Sequence, residues 1–125
     1  MPITIDPHSS PGIVCVRYTA PFTFAEWCDV ADRLRADLAL AFDPNLGLLI
    51  DRTAVRRPEG WFIKGLVDYL ASHKGFMRGR RIAIVVSDAD AAQSAWMQAM
   101  LYEDAGAVSS VFTTIRAAEA WLRQR

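Results

Sequence analysis

The sequence predicts an α/β domain: a mixed, mostly parallel sheet with an N-terminal antiparallel strand pair and helices on its faces. Two observations carry this. Gly47 to Asp51 (GLLID) and Arg81 to Asp88 (RIAIVVSD) are short, near-continuous apolar runs, as buried strands require, whereas a half-solvated strand would alternate apolar and polar residues. Each run is followed by a stretch with helical spacing. Strands joined through helices pair in parallel, and right-handed crossovers lay the helices on the sheet faces.

At 125 residues the chain fits one domain spanning residues 1–125. Lys and Arg balance Asp and Glu at 14 each, so no overall field would draw the chain onto nucleic acid or an anionic membrane. The first ten residues lack the basic start and apolar core of a signal peptide, and no apolar run approaches the roughly 20 residues of a membrane span. A cytoplasmic protein is the expectation. Cys15 and Cys28 lie in apolar, regularly patterned segments without a CxxC pair or a His cluster, so they read as buried reduced thiols.

Along the chain, Ile3 to Asp6 and Ile13 to Thr19 are strand candidates separated by the turn-rich DPHSSPG. Thr23 and Glu26 form a T-x-x-E capping box. A helix follows with Phe24, Trp27, Ala31, Leu34 and Leu38 on one stripe, ended by Asp43-Pro44-Asn45. After GLLID, Pro58 and Glu59 suit the first turn of a second helix, with Phe62, Leu66, Tyr69 and Leu70 inward. His73, Lys74 and Gly75 would close it, Gly75 taking the left-handed position. Asp90 with Gln93 can cap a third helix that carries Ala95, Trp96, Ala99 and Met100 and stops at Gly106. Val108 to Phe112 is the last strand, and Thr113 or Thr114 starts a final helix with Ile115, Ala118, Trp121 and Leu122 inward. The order is β-β-α-β-α-β-α-β-α.

With these pieces in place the chain resembles the SpoIIAA-like group of small bacterial proteins in the STAS superfamily. The resemblance spans nearly the whole chain. It rests on the β-β-α opening, on GLLIDRTAV ending its strand at Asp51, on RIAIVVSD, and on the closing VFTTIRAAEAWL from Val111 to Leu122. Anti-sigma-factor antagonists of the superfamily carry a phosphorylatable Ser in a D-S-S-G-like turn. Here that turn reads Arg57-Pro58-Glu59-Gly60, where the glycine matches and no hydroxyl stands in the acceptor position; Thr53 is the nearest one. The group's fold is related to SEC14-type lipid-binding domains. The resemblance implies a binding or regulatory module, with no cofactor.

In open α/β sheets ligands gather beyond the carboxyl ends of the strands. The loops there begin at Asp51, Asp88 and Thr113. Arg52, Arg56 and Arg57 crowd a helix start near Gly60, an arrangement that favours an anion, although solvated loop charges are the plainer reading. The candidate ligand-binding set is therefore Arg52, Thr53, Arg56, Arg57, Gly60, Trp61 and Asp88, with no catalytic or metal residue assigned. A phosphoryl-accepting receiver site needs an acidic pair after the first strand and a strand-end Lys, and both are missing. The plainer reading of Asp51 is a turn hydrogen-bonded to local backbone, and of Asp88 and Asp90 helix capping. Lys74, Arg78, Arg80 and Arg81 read as a solvated connection at the opposite end. Trp61, Trp96, Met97, Met100 and Tyr102 pack the core by default, or else line a lipid-sized pocket or a partner surface.

The expected function is a non-catalytic module for a protein partner or a small apolar, lipid-like or anionic ligand; a homodimer is left open. The alternative is a small enzyme with Asp51, Asp88 or Glu59 as acid or base.

Overall fold

The computed structural model describes residues 2–36, 45–55 and 60–124, and their side chains outside 7–10, 60–63 and 89–90. One sheet holds β1 (Ile3–Ser10), β2 (Ile13–Tyr18), β3 (Gly47–Asp51), β4 (Arg81–Val85) and β5 (Val108–Phe112), in that spatial order. β1 is antiparallel to β2, and every later pair is parallel. The described helices are α1 (Phe24–Ala36), α2 (Gly60–Ala71), α3 (Lys74–Met77), α4 (Ala89–Asp104) and α5 (Ile115–Arg123). The predicted element order is observed, with the four-residue α3 added.

Strand order decides the layers. When each parallel strand is laid beside the previous one with the same crossover hand, the connecting helices fall on one face. Residues of α1, α2 and α4 accordingly pack with Val14, Val16, Leu48, Ile50, Ile82 and Ile84. The opposite face, with Cys15, Leu49, Ala83 and Val85, is covered by Ala118 and Leu122 of α5. Every residue of β3 is buried, which is why GLLID has no polar alternation. Gly47 lets α5 approach, since a Cβ there would stand 3.0 Å from the Leu122 side chain.

Among the described residues, side-chain caps start α1, α4 and α5. Thr23 and Glu26 bond reciprocally, at 3.2 Å from Glu26 N to Thr23 Oγ1 and 2.9 Å from Thr23 N to Glu26 Oε1. Thr114 caps α5 by accepting from Ala117 N. For α4 the cap is Asp88, which accepts from Ala91 N at 2.9 Å, so the expected Asp90–Gln93 box is corrected: Asp90 already lies within the helix.

Four further expectations change. β1 continues to Ser10 and the turn contracts to Pro11 and Gly12, with Gly12 at φ 76°. Pro7 cannot donate to the ladder, and the register shifts between Asp6 and Ser10 without ending the strand. Gly75 is helical within α3, and the left-handed residue is Gly79 at φ 73°. That extra turn presents a carbonyl and a ring to Arg80, which is only 1% exposed. Its Nε donates to Phe76 O at 3.1 Å, its Nη1 to Leu46 O at 3.0 Å, and the guanidinium lies 4.3 Å over the Phe76 ring, so Arg80 is no solvated connection. Trp96 and Met100 face outward, because Ala91, Ala95, Gln98, Ala99 and Tyr102 form the buried stripe of α4. Trp121 keeps its expected place, against Phe112 at 5.5 Å and beneath Arg81 at 4.2 Å. Leu38, Asp43, Pro44, Arg56, Arg57, Pro58 and Glu59, and the side chains of Trp61 and Phe62, lie outside the described residues.

Candidate functional site

The space between the sheet and helices α1, α2 and α3 is not filled. A cavity of ≈ 60 Å³ lies over Leu48, Ile50 and Ile82, walled by Val30 and Leu34 of α1 and by Leu70 of α2. Because the connecting helices run antiparallel to the strands, Arg35 and Tyr69 from the last turns of α1 and α2, and His73 from the turn after α2, line it towards the strands' amino ends. Tyr18, Trp27 and Tyr102 line it as well. Trp27 meets Tyr69 edge-on at 5.1 Å, so two helices share an aromatic contact above the cavity.

The rim is polar and organised. Tyr69 Oη donates to Asp32 Oδ1 at 2.6 Å and accepts from Arg35 Nε at 2.9 Å. Arg35 Nη2 reaches the same carboxylate oxygen at 2.6 Å. His73 Nδ1 stands 2.8 Å from Tyr69 O, with the two rings 4.4 Å apart. Burial, and then donation to Asp32, push the Tyr69 phenol up to about 12. The Asp32 carboxyl is held below its ordinary range by hydrogen bonds from Tyr69 and Arg35.

A second polar group is sealed inside. Trp27 Nε1 donates to Tyr18 Oη at 3.1 Å, and Gln98 Nε2 donates to Tyr102 Oη at 2.9 Å. Arg52 Nη1 donates to Gln98 Oε1 at 2.8 Å and Nη2 to Ser94 Oγ at 2.9 Å. Burial raises both phenols and lowers the Arg52 guanidinium. These bonds fix Tyr18 and Tyr102 as rigid cavity walls.

The residues singled out by sequence do not converge on one ligand site among the described residues. Arg52 turns inward and is 2% exposed. Asp51 Oδ1 accepts from Thr53 N at 3.0 Å and from the Thr53 hydroxyl at 2.7 Å, while Oδ2 takes Arg17 Nε at 3.2 Å. Asp51 Oδ1 therefore holds the turn and Oδ2 ties it to Arg17 of β2, while Asp88 caps α4. Gly60 opens α2, and Arg56, Arg57 and the Trp61 side chain lie outside the described residues. Sequence reasoning missed Asp32, Arg35 and His73. The signal was their spacing: Asp32 and Arg35 are three apart on α1, and His73 follows Tyr69 by four residues in the turn just beyond α2. No group of three or more His, Cys, Asp or Glu able to hold a metal occurs among the described residues.

With the fold and the cavity described, the chain can be set beside known structures. It is similar in fold to the protein TM1081, known from an NMR structure. The TM-score is 0.64 at 12% identity, covering 99% of this chain and 89% of that one. At such identity the likeness concerns the fold alone, a mixed α/β domain. No protein-family model and no curated protein matches the chain.

Proposed function

We propose that this chain is a binding module of the SpoIIAA-like kind, within the STAS superfamily. Its ligand is a small apolar molecule, or the apolar end of a larger acidic one, held between α1, α2 and the sheet. The carrying observation is the apolar cavity of ≈ 60 Å³ with polar groups at its rim. A water occupies about 10–15 Å³ on this measure, so the space takes a chain of about four heavy atoms, and an apolar lining of this kind stays dry. Arg35 at the rim is the group to meet an acidic head, at the expense of its bond to Asp32. No described helix is long and apolar enough to cross a membrane, and the two unpaired cysteines accord with a cytoplasmic setting.

The alternative, acid–base chemistry at the strand ends, has less support: Asp51 is engaged by Thr53 and Arg17, and Asp88 caps α4. Native mass spectrometry of freshly purified protein tests the ligand reading. Wild type should carry a small adduct, or take one up from millimolar hexanoate, and Ala31→Leu, which fills the cavity from α1, should not. A wild type that stays bare in hexanoate would reject it.

A further inference from the structure

A second surface stands apart from the cavity. On α4 the buried stripe of Ala91, Ala95, Ala99 and Tyr102 leaves Trp96, Met97 and Met100 outward, at 46%, 47% and 61% exposure. These three share the solvent face within little more than one helical turn and form one continuous apolar band. Met side chains adapt to varied partners, and Trp is a frequent interface anchor.

Charge says what covers this band. From Ile82 to Ile115 the chain has four carboxylates, Asp88, Asp90, Glu103 and Asp104, and no Lys, Arg or His. Glu103 and Asp104 are exposed and sit in the last turn of α4, which contains no basic residue. Carboxylates at that negative end of the helix oppose its dipole, an unfavourable placement for the helix by itself. Among the described residues, Lys74 of α3 shares a shallow groove with Asp104, and the Arg78 backbone lies behind Gly106. An anionic membrane would be repelled by α4. A second copy laid antiparallel would set Glu103 and Asp104 against the acidic amino end of its twin, and that pairing is also unfavourable.

We propose that the outer face of α4 is a docking surface for an amphipathic helix of another protein, one with an apolar stripe flanked by Lys or Arg. The stripe would cover Trp96, Met97 and Met100, and its flanking cations would meet Glu103 and Asp104. This inference does not depend on the cavity having a ligand.

The probe is a pair of synthetic helical peptides sharing one Leu stripe, with flanks of Lys in one and Glu in the other, titrated into the intact protein by calorimetry. The Lys peptide should bind at micromolar to sub-millimolar levels, more weakly as salt rises. Met100→Gln should weaken it about tenfold or more. Glu103→Gln and Asp104→Asn should each cost about two- to fivefold, the ordinary contribution of an exposed ion pair. These are surface substitutions, and an unchanged denaturation midpoint will show that the fold survives them. Equal binding of both peptides, or none at millimolar concentration, overturns the proposal. So does concentration-dependent dimerisation abolished by Met100→Gln, or binding to anionic phosphatidylserine vesicles with no peptide binding.

Discussion

Gly65→Ala probes the contact that holds α1 and α2 together above the cavity. A Cβ at Gly65 would stand 2.7, 2.8 and 2.9 Å from three ring carbons of Phe24. Carbon atoms rest at about 3.5–4.0 Å, so the ring would have to withdraw by roughly 1 Å. It is not loose: Phe24 is half-buried and stacked on Trp27 at 5.7 Å with an 11° interplanar angle. Overpacking of this kind costs about 1–3 kcal/mol, while replacing a mid-helix Gly by Ala returns about 1 kcal/mol. The net expectation is a loss of about 0–2 kcal/mol, or up to roughly 8 °C in Tm for a domain of this size. Urea denaturation followed by circular dichroism should be run as a double-mutant cycle with Phe24→Leu. With the ring gone, Gly65→Ala should stabilise by up to about 1 kcal/mol, and the coupling should be about 1–3 kcal/mol. Additive effects, or a Gly65→Ala protein more stable than wild type, would show that Phe24 does not rest on Gly65.

Two other perturbations test the polar groups. Arg52→Met should lower stability by about 2 kcal/mol, because Gln98 Oε1 and Ser94 Oγ each lose a donor while the relieved desolvation of the charge offsets part of the loss. Arg52→Lys should not restore it, since a single ammonium cannot reproduce the guanidinium's two-armed reach; a change within about 0.5 kcal/mol would mean a solvated loop side chain instead. In an alkaline titration the native protein should show no phenolate step near pH 10, because Tyr18, Tyr69 and Tyr102 are all raised above the ordinary value. Since the folded pKa values exceed the unfolded ones, this contribution to stability is whole below about pH 10 and declines as pH rises towards the value of about 12 for Tyr69. A one-tyrosine step at pH 10 would contradict the bond from Tyr69 to Asp32.

Much of the fold was legible because it is written locally. Leu48–Ile50 and Ile82–Val86 are apolar at every step because both of their faces are covered, and T-x-x-E starts α1 through two bonds spanning three residues. What stayed hidden depends on distant partners. Arg80 looks solvated until Leu46 O, 34 residues away, comes within 3.0 Å. Arg52 looks like a ligand residue until Ser94 and Gln98 of α4 close over it. Helical periodicity placed Ala95 and Ala99 correctly on the buried stripe of α4 but added Trp96 and Met100 to it, which are turned out while the small Ala side chains lie against the sheet. The cavity could not be read at all. It is a gap between helices, and its rim joins Asp32 and Arg35 to Tyr69 and His73 across 34 to 41 residues of sequence.

Isoleucine-methyl NMR during a hexanoate titration tests the proposed cavity ligand most directly. Ile50 and Ile82 line the cavity, whereas Ile13 lies in the cluster on the opposite face of the sheet and serves as an internal control. Ligand entry should shift the Ile50 and Ile82 methyls saturably at millimolar concentration and leave Ile13 still, and Ala31→Leu should abolish the response. Unmoved Ile50 and Ile82 methyls, or shifts that appear equally at Ile13 or persist in Ala31→Leu, would contradict binding in the cavity.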